Sequence, residues 1–261
     1  MNIKVNTIGG GIFSKFMVAI QSINDICSVE SIENIYIDID RIKDNNFKNK
    51  LNPFDFVFEQ NDGLNFDKVI DAYPNHVYRC NEFGNQTYTD VFNNSDLNNL
   101  KSICNKIKIK DTILNKVTGI DESTLGIHVR LTDMNVEHPI YGIHTTDDYI
   151  KKTIDILNIN KTLNKIFISS DNEASIEIIK KNEQLNKYEI ITNKVGNRHI
   201  DEKGIGYNSY QVTRMSSEDF WIDSFIDMIS LSKCSELLYR VSNLNNSSVI
   251  FSNTIKKTHR L

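Results

Sequence analysis

The sequence lacks the features that mark membrane, secreted and nucleic-acid-binding proteins. No run of apolar residues approaches the ~18 that a membrane-spanning helix needs, and the first residues, MNIKVNTIGGG, lack the basic and apolar segments of a signal peptide. There is no block of Lys or Arg, and 30 basic residues against 34 acidic ones give a formal charge of -4. We therefore expect no membrane span, no secretion and no nucleic-acid partner.

Cysteine is also scarce. The four cysteines lie far apart, with neither a CxxC pair nor metal-ligand spacing to a histidine, and none of the six histidines stands at a recognisable catalytic spacing from a cysteine or serine. With 39% hydrophobic and 25% charged residues, the chain can nevertheless bury a substantial core. The composition predicts a globular, reduced, cytoplasmic protein without a disulfide framework or a bound metal.

What the sequence does contain is a regular alternation of strand-like and helix-like segments. The apolar stretch IKVNTI leads through three glycines into a helical pattern, and from Leu125 onwards strands and helices alternate almost continuously. Such alternation predicts parallel βαβ units with right-handed crossovers. We predict an α/β protein with two Rossmann-like domains, residues 1–118 and 119–261, and a ligand at the carboxyl ends of the strands in a cleft between them.

The stretch LGIHVRLTDM contains an arginine at the end of an apolar strand. Burying a guanidinium without a partner is costly, so Arg130 must either pair with a nearby carboxylate or bind a ligand. Its planar fork matches a pair of diphosphate oxygens in a way that lysine cannot reproduce. A structural pair between Arg130 and Asp133 at a domain seam explains the same residues equally well.

The glycines at positions 9–11 stand between a strand and a helix, where the backbone can approach a diphosphate closely. With Asp38 at the end of the next strand, this spacing is similar to a dinucleotide fingerprint, so an NAD(P)-dependent oxidoreductase is an alternative function. A simple tight turn is the competing explanation. Asp38 and Asp40 could also share a divalent cation, although a solvated strand end explains this pair better.

Two further aspartates have structural explanations that compete with functional ones. Asp171 follows the strand KIFISS and is predicted to cap the next helix, with Ala174 at the third helical position. Asp227 lies among large apolar residues in the segment EDFWIDSFIDM and therefore needs a partner. The two parallel N–H donors of guanine would match its carboxylate, and so would a lysine, an arginine or a backbone amide.

Taken in order, these segments resemble the fucosyltransferase superfamily, most closely the α1,6-fucosyltransferases and their nodulation relatives and, further off, the α1,2- and protein O-fucosyltransferases. GIHVRLTDM resembles the strand motif His-x-Arg-Arg-x-Asp, and IFISSD resembles the following strand. FIDMISLSKCSELLYRVSNLNNS resembles the last motif, and GGGIFSKF resembles the N-terminal loop. The resemblance implies a GT-B-like fold and an inverting, metal-independent transfer of fucose from GDP-fucose to a glycan acceptor, without a cofactor.

The resemblance also implies a role for each motif residue. The donor-binding residues would be Gly10, Gly11, His128, Arg130, Asp133, Asp227, Ser242 and Asn243, of which the last two would contact phosphate. Arg130 would bind the β-phosphate and stabilise the leaving diphosphate, and Asp133 would hold the ribose. The His128 main chain and the Asp227 side chain would bind guanine. Glu137 is the candidate catalytic base.

The sequence departs from the family pattern at two positions. Leu131 replaces the usual second arginine, and Met134 replaces a lysine of the α1,6 enzymes. Lys15, Arg198 or Arg214 would have to supply the missing charge. These departures leave a non-catalytic nucleotide-sugar or glycan-binding protein as a second alternative.

Overall fold

The structure is a computed structural model that describes residues 1–8, 11–39, 51–72, 94–131, 144–193, 218–240 and 242–261. The chain forms two compact units, Met1–Lys116 with Ser242–Phe251 and Val117–Val241 with Ser252–Leu261. The sequence-based division at 118/119 assigned residues 242–251 to the C-terminal domain, whereas the chain returns here to the first unit for one helix before it ends in the second.

The first unit contains a sheet of three parallel strands in the order β2-β1-β3: β1 is Asn2–Thr7, β2 is Asn34–Ile39 and β3 is Lys68–Ala72. Its helices are α1 (Ile12–Ile26), α2 (Pro53–Val57), α3 (Asn94–Cys104), α4 (Asp111–Leu114) and α8 (Asn243–Phe251), and Val29–Ser31 forms a 3₁₀ turn. Helix α1 packs against the sheet, α3 and α8. The rings of Phe16 and Phe251 stack at 5.3 Å, which explains why α8 belongs to this unit.

The second unit contains five parallel strands in the order β6-β5-β4-β7-β8. The strands are β4 (Thr124–Val129), β5 (Lys165–Ser170), β6 (Glu189–Ile191), β7 (Glu236–Tyr239) and β8 (Lys257–Arg260). The helices are α5 (Thr146–Ile159), α6 (Glu173–Lys180) and α7 (Glu218–Lys233). No described helix is both long and apolar enough to cross a membrane.

The two faces of this second sheet bury different elements. The apolar residues Leu125, Ile127 and Val129 of β4 join those of β5 and β7 in a core with α5 and α6. The intervening residue Gly126 faces α7 instead, where it lies against Leu231 and Cys234. Because successive strand residues point to opposite faces, His128 also lies on the α7 face of the sheet.

Substituting Gly126 with alanine should destabilise the protein. A Cβ atom at this position would lie 3.0 Å from Cys234 Sγ and 3.1 Å from Leu231 Cδ2. Both side chains are fully buried, Leu231 in the last turn of α7 and Cys234 directly after the helix. We expect the free energy of unfolding to fall by about 1–3 kcal/mol, as overpacking typically does. Urea denaturation measures this, with Gly11→Ala as the matched control, since a Cβ at Gly11 meets no atom within 4 Å. Equal stability of the two variants would contradict the close packing of α7.

Candidate functional site

The carboxyl edge of the second sheet presents charged residues on three neighbouring strands. Asp171 is the first residue after β5, Arg130 is the first after β4, and Arg240 is the first after β7. All three strands are parallel, so these residues lie at the same edge. Open α/β sheets bind ligands at this edge. The ligand site predicted at the end of LGIHVR therefore has charged neighbours on both sides.

Asp227 of α7 is held by two neutral hydrogen-bond donors. The Ser169 hydroxyl donates to its Oδ2 atom at 2.8 Å, and the Asn193 amide donates to its Oδ1 atom at 2.6 Å. The same amide donates to the Ser230 hydroxyl at 3.2 Å. Asp227 is 6% exposed. These contacts fix the carboxylate in position, and a carboxylate can accept about four hydrogen bonds in all.

The structure brings together the two residues predicted to bind guanine. His128 lies opposite Ser169 on the neighbouring strand, so the two side chains lie on the same face of the sheet. Neighbouring strands are about 4.8 Å apart. Ser169 in turn binds Asp227. His128 is 6% exposed and also lies opposite Tyr239, so its main chain is flanked by a strand on each side.

Arg130 is anchored through its main chain. Its backbone N–H donates to the hydroxyl of Tyr149, a fully buried residue of α5, at 3.3 Å. Burial raises the pKa of Tyr149, and Asp171 raises it further, whereas the bond from Arg130 and the charges of Arg240 and Arg130 lower it. The balance is a raised pKa, so the hydroxyl keeps its proton at neutral pH. The Arg130 side chain takes no part in this anchor.

Sequence reasoning missed Arg240, Tyr149 and Asn193. Arg240 is 2% exposed and directly follows the buried strand ELLY, just as Arg130 directly follows LGIHV. Tyr149 occupies an apolar position of an amphipathic helix and gives no signal of its own. Asn193 follows β6, and only the tertiary structure brings it to Asp227.

Ser242 has a structural function in the first unit. Its hydroxyl oxygen accepts hydrogen bonds from the Asn245 main chain at 3.3 Å and from the Asn245 side chain at 2.9 Å, and its carbonyl accepts from the Asn246 N–H at 3.0 Å. These bonds satisfy N–H groups at the start of α8, whose first residue is Asn243. The predicted contact of Ser242 and Asn243 with phosphate stays a prediction.

Asp171 does not cap α6. The cap is the next residue, Asn172, whose side chain accepts a hydrogen bond from the Ser175 N–H at 2.9 Å. The prediction of Asp171 as cap and Ala174 as the third helical residue was therefore wrong by one position. The reason is physical: asparagine and aspartate cap equally well, so the sequence DN does not fix which of them begins the helix.

The structure shows the surroundings of several other residues that the sequence analysis named. Asp38 forms an ion pair with Lys4 at 3.1 Å and accepts a hydrogen bond from the Ile39 N–H at 2.8 Å. Leu131 packs against the core of the second unit, and Lys15 of α1 is 1% exposed. The described ranges contain no group of three or more His, Cys, Asp or Glu side chains that could hold a metal ion. Gly10, Asp40, Asp133, Met134, Glu137, Arg198 and Arg214 lie outside the described residues.

Gly11 is the residue that precedes α1, with φ −74° and ψ 172°. This backbone conformation suits any residue, and a Cβ would meet no atom within 4 Å, so the fold does not require glycine here. Glycine also provides no side-chain cap for α1. If its role is to let a donor phosphate approach the main chain, the requirement comes from the ligand.

We expect Gly11→Ala to weaken GDP binding about tenfold while leaving the unfolding free energy within about 0.5 kcal/mol of the original. The added methyl group would occupy the space through which the phosphate reaches the backbone. Calorimetric titration with GDP, together with urea denaturation, measures both quantities. Unchanged GDP affinity would remove Gly11 from the donor-binding residues.

No protein-family model matches the chain, and no curated protein is significantly similar to it in sequence. In structure it is similar to NodZ α1,6-fucosyltransferase co-crystallised with GDP, with a TM-score of 0.52 and 13% identity over 95% of this chain and 92% of NodZ. It is similar to POFUT1 in complex with GDP-fucose, with a TM-score of 0.52 and 9% identity over 100% of this chain and 97% of POFUT1. A structure of NodZ from Bradyrhizobium matches with a TM-score of 0.48 and 12% identity, over 95% of this chain and 93% of that one.

At 9–13% sequence identity, the structural matches with a TM-score of 0.52 establish the fold alone. The two parallel α/β sheets and the likeness to NodZ and POFUT1 confirm the α/β, GT-B-like fold class predicted from the sequence. They also confirm, at the level of the fold, the resemblance that the motifs indicated. This chain has the fold of the fucosyltransferases.

Proposed function

We propose that the protein is a glycosyltransferase that transfers fucose from GDP-fucose to a hydroxyl group of a glycan acceptor. The observation that carries this proposal is the position of Asp227. Its carboxylate is bound by Ser169, and Ser169 lies opposite His128, which is two residues before Arg130. A fixed, buried carboxylate suits the two parallel donors of guanine, and a guanidinium suits the diphosphate. The fold is shared with a NodZ structure containing GDP and a POFUT1 structure containing GDP-fucose.

The proposed reaction is an inverting displacement that needs no metal. The bond between the anomeric carbon and the β-phosphate oxygen breaks, and its electron pair goes to that oxygen as GDP leaves. The acceptor oxygen forms the new bond and gives its proton to a base, for which Glu137 is the candidate. Arg130 stabilises the negative charge that develops on GDP, which is the role a metal ion plays in other transferases.

A non-catalytic protein that binds GDP-sugars is the second candidate. Leu131 packs against the hydrophobic core of the second unit, at the position where the family pattern has a second arginine. The site would then bind the donor but stabilise the leaving group less. Binding and turnover must therefore be measured separately.

The test is calorimetric titration of the purified protein with GDP, UDP, NAD and NADP, each with and without EDTA, followed by an assay for GDP release from GDP-fucose in the presence of glycan acceptors. We expect GDP to bind in preference to UDP, with an affinity that EDTA leaves unchanged, and GDP release to require an acceptor. Preferential binding of NAD would support the oxidoreductase. Loss of GDP binding in EDTA would contradict metal independence, and GDP binding without turnover would support the non-catalytic protein.

A further inference from the structure

Leu131 continues the alternation of β4 beyond the end of the strand. Leu125, Ile127 and Val129 of β4 belong to the core that α5 and α6 cover, and Leu131 packs against the same core. Successive side chains of an extended chain point to opposite faces of a sheet. Since Leu131 lies on the same face as Val129, the side chain of Arg130 between them points to the other face.

That other face carries the residues proposed to bind guanine. His128 lies on it, and Ser169, which is opposite His128 on β5, donates a hydrogen bond to Asp227 of α7. Arg130 follows His128 by two residues and therefore points in the same direction. It lies one residue beyond β4, so it is closer to the carboxyl edge of the sheet than the base site is.

Tyr149 holds the main chain of the same arginine. Its hydroxyl accepts a hydrogen bond from the Arg130 N–H at 3.3 Å, and the residue is 0% exposed in the core against which Leu131 packs. One contact therefore fixes the main-chain nitrogen of Arg130, and the other fixes the residue that follows it. A side chain whose main chain is held on both flanks explores fewer directions, so ordering it on a ligand costs less free energy.

We propose that Tyr149 and Leu131 are positioning residues, which hold the main chain of Arg130 so that its guanidinium faces the diphosphate of the donor. The inference rests on the proposed function and deepens it, because it assigns a role in donor binding to two residues that act through Arg130. Neither takes part in bond breaking. They preorganise the group that stabilises the charge developing on the β-phosphate oxygen as GDP leaves.

A purely structural role for the two residues makes a different prediction. Loss of core packing or of a buried hydrogen bond would then lower stability and weaken GMP and GDP equally. Displacement of Arg130 weakens only the ligand that carries the second phosphate. The ratio of the GMP dissociation constant to that of GDP separates the two roles, because it is measured within each variant and cancels general damage to the base site.

The experiment measures GMP and GDP binding by calorimetry for the wild type, Tyr149→Phe, Leu131→Ala and Leu131→Met. Phenylalanine removes only the hydroxyl, whereas alanine removes most of the packing contact and keeps the hydrogen bond. We expect the GMP-to-GDP ratio to fall about fivefold in Tyr149→Phe and in Leu131→Ala. In Leu131→Met it should stay within about twofold of the wild type, because methionine restores the apolar contact.

Leu163→Ala is the matched control for Leu131→Ala. Leu163 belongs to the same core and is 2% exposed, but it lies two residues before β5, at the amino end of the strands. The loss of stability should be at least as large as in Leu131→Ala, because Leu131 is only partly buried. The GMP-to-GDP ratio of Leu163→Ala should not change, because Arg130 lies at the opposite end of the sheet.

Double substitutions test whether the two residues act through Arg130. In Arg130→Lys the paired contact with the phosphate oxygens is already lost. Adding Tyr149→Phe or Leu131→Ala to this variant should therefore change the GMP-to-GDP ratio by less than about twofold. Losses that multiply would show that Tyr149 and Leu131 act independently of Arg130, and would overturn the proposal.

The outcomes separate this inference from the proposed function. An unchanged ratio in folded Tyr149→Phe or Leu131→Ala overturns the positioning role of that residue and leaves the proposed function standing. An equal loss of the ratio in Leu163→Ala has the same meaning, because it would show that any damage to the core changes the ratio. A wild-type protein that does not bind GDP overturns the proposed function and the inference with it.

Discussion

Arg130→Lys should lower kcat/KM for GDP-fucose by about 100-fold while the protein stays folded. Lysine keeps the charge but offers a single ammonium group where arginine offers a planar fork, so the paired contact with the phosphate oxygens is lost. A loss of about 2.7 kcal/mol in transition-state stabilisation corresponds to this factor and is typical of a removed oxyanion contact. The fold should survive because the anchor to Tyr149 uses the Arg130 main chain, which the substitution does not alter.

The measurement is the initial rate of GDP release at several GDP-fucose concentrations, with circular dichroism as the check on folding. A fall in kcat larger than the rise in KM would place the interaction mainly in the transition state. Arg260→Lys, at the end of β8, serves as the matched control for a change from arginine to lysine at the same edge. Near-normal turnover of Arg130→Lys would remove Arg130 from the role of stabilising the leaving group.

The periodic parts of the fold could be predicted from the sequence. Strands such as LGIHVR and helices such as DDYIKKTIDIL have strong patterns, and the structure has them within one or two residues. The last strand, β8, was missed because its sequence, KTHR, is polar throughout. It lies at the edge of the sheet and pairs only with β7, so it needs no apolar alternation. The return of α8 to the first unit was missed for another reason: its packing with Phe16 is a contact between distant parts of the chain.

The candidate site was only partly predictable. An arginine after an apolar run is visible in the sequence, and this signal identified Arg130. The partners of Asp227 were not visible. Ser169 lies in strand β5, 58 positions away, and Asn193 lies 34 positions away, so only the folded sheet brings their donors to the carboxylate. The sequence required a partner for Asp227, and the structure supplies a hydroxyl and an amide where a charged group or a backbone amide had been considered.

Asp227→Asn should remove the ability of the protein to distinguish GDP from IDP. IDP lacks the 2-amino group of guanine, so a carboxylate that accepts both the N1–H and the amino group should bind GDP about tenfold more tightly. The asparagine side chain has nearly the same shape, but one of its two groups is a donor and cannot accept from guanine. We expect GDP affinity to fall by about 10- to 100-fold and the preference for GDP over IDP to fall to about one.

The same substitution affects stability, and the experiment must separate the two effects. In the folded protein, Asp227 accepts from both Ser169 and Asn193, and an asparagine can accept from only one of them with its single oxygen. A loss of about 1–2 kcal/mol in the free energy of unfolding is therefore expected whether or not guanine binds here. Asp223→Asn, one turn earlier in α7, is the matched control and should leave the GDP-to-IDP ratio unchanged. Because UDP has no guanine, its affinity should not respond to Asp227→Asn; equal losses for GDP and UDP would mean that Asp227 supports the fold and does not bind the base.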